Sequence, residues 1–121
     1  MRLEINVAES FEAMRARSLA HAHRIEAGEQ VEPLCDIGFN NMAQFGEVFT
    51  AKRWELVEAL KAAGPVSIYA LAKQLKRNYS NVHKDVAVLT EWLVIEKNEA
   101  GKVFVPWDEI DVRWPLLKQA A

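Results

Sequence analysis

Ser67-Ile-Tyr-Ala-Leu-Ala-Lys-Gln-Leu-Lys-Arg-Asn78-Tyr-Ser-Asn-Val-His-Lys-Asp-Val-Ala-Val-Leu89 carries two helical periods separated by three residues. In the first, Ile68, Leu71, Ala72 and Leu75 form an apolar stripe behind Ser67, whose hydroxyl suits a helix N-cap. In the second, Val82, Val86, Leu89 and Leu93 recur at intervals of four, three and four behind Asn78, another good cap. Lys76-Arg77-Asn78 is the tight connection. The spacing predicts a second helix from Tyr79 to about Trp92.

Upstream, Thr50 caps a helix to Ala63 with Leu56, Val57 and Leu60 inside, closed by Gly64-Pro65. Downstream, Val94–Lys97 and Lys102–Trp107 are β-rich and flank Asn98-Glu-Ala-Gly101, which predicts a hairpin. Further out, Arg2–Val7 alternates as a half-buried strand does, and Ser10 opens a helix to about Ala27 that Gly28 stops. On that helix Phe11, Met14, Ala22 and Ile25 share one arc with Ser18. A short edge strand is expected through Leu34, Ile37 and Phe39, a short helix over Met42–Phe49, and a last strand over Ile110–Trp114.

Helix, short helix, three-residue turn, helix and hairpin within about sixty residues is the winged helix-turn-helix layout. The expected fold is α+β: a winged helix-turn-helix over residues 47–114, preceded by a strand–helix–strand extension over residues 1–46 that dimerises, with a tail over residues 115–121. The major groove of DNA is about 12 Å wide and admits one helix. With Val82, Val86 and Leu89 inward, Tyr79, Ser80, Asn81, His83 and Lys84 remain for the outer face of the early turns, where such a helix meets base edges. Asn81 has the donor–acceptor pair that matches adenine. Lys76, Arg77 and Lys84 supply charge for phosphates, as does Lys73, and Lys102 serves the wing. The helix starts at Ser67 and Asn78 offer backbone N–H groups. Asp85 opposes phosphate binding, so its expected role is structural, pairing with Arg77 or Arg53.

The charge distribution agrees. The net charge of −2 hides a division: residues 50–90 hold seven basic and three acidic residues, whereas residues 1–49 hold four and eight. A cationic middle in a mildly acidic chain suits an anionic partner. The alternative is a winged-helix module that docks an acidic protein without touching DNA.

The segment from Thr50-Ala-Lys-Arg through Gly64-Pro-Val-Ser, Leu71-Ala-Lys-Gln-Leu75 and Asn81-Val-His-Lys-Asp85-Val, ending in Val105-Pro-Trp107, resembles the MarR-like predicted transcriptional regulators of prokaryotes, the antitoxin-like members in particular. The resemblance spans about residues 47–114. It implies sequence-specific binding of double-stranded DNA, a homodimer, repression of the protein's own operon, and in the antitoxin-like members a toxin as partner. Two positions depart from the family pattern. Ala51 replaces a proline, and Trp92-Leu93 replaces a Gly-Leu pair. Tryptophan is a poor left-handed cap.

Other chemistry is not indicated. His21 and His23 are two apart, about 200° around a helix, and do not converge on a metal. Cys35 is the single cysteine, expected as a small buried side chain, and a reducing cytoplasm suits such a chain. No phosphate loop, dinucleotide fingerprint or nucleophile motif is present. The expectation is a protein with no enzymatic activity, no cofactor, no metal and no membrane partner.

Overall fold

The computed structural model describes residues 1–31, 33 and 35–117. The architecture is mixed α+β, in the order β1 (Arg2–Val7), α1 (Phe11–Glu26), β2 (Asp36–Phe39), α2 (Met42–Val48), α3 (Ala51–Ala63), α4 (Ile68–Leu75), α5 (Tyr79–Glu91), β3 (Glu96–Lys97), β4 (Val103–Phe104) and β5 (Glu109–Arg113). It divides into two compact units, residues 46–108 and residues 1–45 together with the chain from Glu109 onward. No helix among the described residues is long and apolar enough to cross a membrane.

The unit containing β1 is built on a three-stranded sheet of order β2-β1-β5 with both pairings parallel. β5 therefore belongs with β1, although the sequence reading grouped residues up to 114 with the helical region. A parallel partner 100 residues away leaves no local trace. Leu34, expected in the edge strand, lies outside the described residues; Ile37 and Phe39 are in β2 at the sheet's edge.

In-register pairing gives the sheet two unlike faces. Leu3, Ile5 and Val7 share one with Ile37, Phe39, Ile110 and Val112; Glu4 and Asn6 share the other with Asp36, Asp111 and Arg113. The alternation in β1 predicts a strand wet on one side. Instead every residue from Leu3 to Val7 is buried. The reason is α1, which covers the polar face and inserts Arg17. Its Nε and Nη2 donate to the two Glu9 carboxylate oxygens at 3.1 and 2.9 Å, Nη2 also to Asp36 at 2.9 Å, and Nη1 to Glu4 at 3.4 Å. Arg113 adds a second cation 3.1 Å from Glu4. Buried carboxylates persist when they are paired in this way.

Ser10 caps α1 by accepting from Ala13 N–H at 3.1 Å, and Gly28 beyond its end takes φ 83°. No α1 residue is buried. Because the Arg17 side faces the sheet, Phe11, Met14 and Ile25 stand exposed. His21 is half-buried, His23 is exposed, and Cys35 is half-buried rather than buried.

In the helical unit, α3, α4 and α5 begin at Thr50, Ser67 and Asn78, each accepting a backbone N–H with its side chain. Leu56, Leu60, Leu71, Val82, Leu89, Val94, Ile95 and Val103 make its core. β3 and β4 pair antiparallel, Glu96 opposite Phe104 and Lys97 opposite Val103. Asn98 closes their turn, its Oδ1 accepting from Ala100 and Lys102 N–H, both at 3.0 Å. Val66 bridges to Val103.

The end of α5 departs from expectation. Leu93, read as part of the inner stripe, is 55% exposed, and it rather than Trp92 takes the left-handed conformation, φ 67°. The Leu93 N–H bonds the Thr90 carbonyl at 3.1 Å and the Val94 N–H bonds the Leu89 carbonyl at 2.9 Å, the paired closure that normally favours glycine. The Leu93 carbonyl also accepts from Trp107 Nε1 at 2.9 Å. A left-handed non-glycine residue costs roughly 1–2 kcal/mol, and a glycine gives back part of that through the unfolded chain. Leu93→Gly is expected to raise stability by about 0.5–1 kcal/mol, read as a higher denaturant midpoint at unchanged slope.

Candidate nucleic-acid interface

The site is built on α4, the turn and α5. The turn is compact because Lys76 adopts a left-handed conformation, φ 56°, which lets its N–H and that of Arg77 close α4 onto Lys73 and Ala72 at 3.2 and 3.0 Å. Asn78 then returns to extended backbone, and its Oδ1 accepts from Ser80 N–H at 2.8 Å and Asn81 N–H at 3.4 Å. The cap thus uses two donors that the sequence reading left open for phosphate. At α4, Ser67 Oγ likewise takes the Ala70 N–H at 3.1 Å.

α5 separates its faces cleanly. Val82, Val86 and Leu89 are buried, whereas Tyr79, Ser80, Asn81, His83 and Lys84 are exposed. Tyr79, Ser80, His83 and Lys84 line an open depression, and the Tyr79 and His83 rings lie 5.9 Å apart at a tilt of 41°. Ser67 and Lys76 are exposed on α4 and its turn, and Lys102 is exposed where the hairpin turn ends. These side chains are hydroxyls, amides, an imidazole and ammonium groups on a rigid helix start, with no acid among the five exposed residues of α5's first turns. They can donate to anionic oxygens and exchange paired hydrogen bonds with a base edge.

Arg77 is the exception. Its Nη2 donates to Asp85 Oδ2 at 2.7 Å, and only about a fifth of its side chain is exposed. It is committed to the fold rather than displayed with the others. Asp85 also accepts from Arg53 Nε at 3.0 Å, and Arg53 Nη1 continues to the carbonyls of Val48 and Glu47 at 2.8 and 3.2 Å. One carboxylate therefore ties α3, the turn and α5 together, where the sequence suggested one arginine or the other.

Sequence reasoning passed over Tyr69. It is 68% exposed on the first turn of α4, beside Ser67. The signal was present, since Tyr69 falls outside the Ile68–Leu71–Ala72–Leu75 stripe. Among the described residues, no three or more His, Cys, Asp or Glu side chains group to hold a metal ion.

The family model HVO_A0114 matches residues 48–112 of the chain. No curated protein and no solved structure matches it.

Proposed function

The chain belongs to the HVO_A0114 family, and we propose that it is a winged helix-turn-helix regulator of MarR-like type that reads double-stranded DNA with α5. One observation carries the reading. Ser80, Asn81, His83 and Lys84 are exposed on turns whose opposite face is packed at Val82 and Val86. A reading helix needs both properties: polar reach into a groove and a fixed angle. In this reading Asn81 and Ser80 address bases, Lys76, Lys84 and Ser67 address phosphates, Tyr79 and His83 flank them, and Lys102 on the wing reaches the neighbouring backbone. Repression of its own operon, and partnership with a toxin, are the regulatory roles that the MarR-like resemblance suggests.

The test is a duplex selected from random sequence, titrated across salt. Phosphate binding weakens as counterions are released, so the affinity falls steeply between about 50 and 200 mM salt. Asn81→Ala is expected to cost about 1–3 kcal/mol on the selected site and to relax preference at one position. Lys84→Ala weakens all duplexes alike and lowers the salt slope by about one. Absence of binding to any duplex at about 50 mM salt would leave α5 as a protein-docking surface instead.

Two copies would place two α5 helices on half-sites about 34 Å apart. The exposed Phe11, Met14 and Ile25 of α1 and Val112 of the edge strand β5 supply the apolar surface for such a homodimer. Light scattering is expected to return twice the chain mass of 13.7 kDa; the single mass at micromolar concentration removes the dimer.

A further inference from the structure

β5 is bonded to β1 along one edge, and no strand among the described residues pairs with its other edge. Such an edge presents a row of N–H and C=O groups to any further strand. Edges that stay single are commonly blunted by lysine, proline or a bulge. β5, Glu109-Ile-Asp-Val-Arg113, has neither residue, and its register with β1 runs unbroken from Glu109 to Arg113. Residues 112–117 are all exposed, among them Val112 at 41% and Trp114 at 50%. The opposite edge, β2, carries one charge, Asp36, which is already bonded to Arg17.

The sequence of β5 is complementary to itself. Two copies related by a two-fold axis pair antiparallel, and the faces of their sheets match only when odd residues meet odd and even meet even. Centring the axis on Ile110 sets Glu109 against the partner's Asp111. Centring it on Asp111 or Arg113 sets that charge against its own copy. Like charges directly opposite are destabilising. Centred on Val112, every pair agrees. Asp111 meets the partner's Arg113 on one face, twice by symmetry, while Val112 meets the partner's Val112 and Ile110 meets the partner's Trp114 on the other. Pro115, which has no N–H to donate, falls at the end of the paired stretch. The charges of β5 therefore select one register instead of guarding the edge.

We propose that two copies of this chain join edge to edge, β5 antiparallel to the partner's β5 with the two-fold axis at Val112, so that two three-stranded sheets become one of six. This pairing rests on the homodimer proposed above and names its joint and register.

The test is disulfide trapping of the full chain with Cys35→Ser, which removes the native thiol, combined with light scattering. Val112→Cys is expected to give a covalent dimer on mild oxidation. Ile110→Cys is not, because its two copies lie four residues apart along the strands, about 13 Å and beyond disulfide reach. Without added cysteines, Asp111→Arg sets arginine against arginine and should weaken the dimer about tenfold. Asp111→Arg with Arg113→Glu exchanges the two signs and should restore it. A doubled mass with no cross-link at Val112, or with Asp111→Arg harmless, overturns the β5 joint and leaves the dimer to α1. A single mass overturns dimer and joint together, and masses beyond two chains overturn the joint in favour of β5 pairing with β2 of another copy, a contact that does not close.

Discussion

Asp85→Ala is expected to lower the stability of the helical unit by about 3 kcal/mol, among the largest effects of any single substitution outside the apolar core. The side chains of Asp85, Arg53 and Arg77 are 14, 18 and 20% exposed. At that burial, removing one partner leaves charges that water reaches poorly, and such losses run to about 3–5 kcal/mol. Asp85→Ala strands two cations at once. Arg53 retains the Val48 and Glu47 carbonyls, but Arg77 loses its ion pair, and its Nη1 is already buried without a partner. Partial exposure keeps the figure at the lower end of that range. Urea unfolding reads the loss. Replacing Arg77 by Met in the same background should recover part of it, because an apolar side chain does not need the anion. If DNA binding follows α5, Asp85→Ala also weakens every duplex, although Asp85 points at arginines rather than at the groove. A stability change under about 1 kcal/mol would mean that the triad is an incidental surface pair.

What the sequence disclosed and what it concealed follows from the range of each interaction. Thr50, Ser67 and Asn78 act within three residues, and all three cap where the sequence placed them. Val82, Val86 and Leu89 lie inside because one helix period decides it. The exposed face of α5 was legible for the same reason. Arg77 was not: its direction depends on Asp85 eight residues on and on Arg53 beyond it, and charge type alone cannot say whether an arginine meets a phosphate or a carboxylate. Leu93 misled because its spacing continued the stripe while the helix had already ended at Glu91. The parallel sheet was concealed most fully. Nothing local links Arg2 to Glu109, and the alternation in β1 was read correctly as two faces but not as two covered faces.

Arg17→Met is the corresponding experiment on the other unit, with the charges reversed. Here one cation serves Glu9, Asp36 and Glu4. The hydrogen bonds that Arg17 donates to Glu9 outweigh the opposing burial and hold the guanidinium protonated even above its ordinary high range, and Asp36 adds to this. Loss of the cation leaves the Glu4 and Asp36 carboxylates on the sheet face, and Glu9 in the turn beyond β1, without their shared partner, with Arg113 the remaining partner of Glu4. A loss of about 3 kcal/mol is expected, again at the lower end for buried pairs because about a fifth of Arg17 is exposed. Arg17→Lys decides whether charge or shape matters. Arg17 meets Glu9 with two parallel N–H groups and sends others to Asp36 and Glu4. A lysine is a point charge on a flexible stem and cannot reproduce that fork. It is therefore expected to recover less than half of the loss. Full recovery by lysine would mean that simple neutralisation, not the guanidinium fork, holds α1 on the sheet.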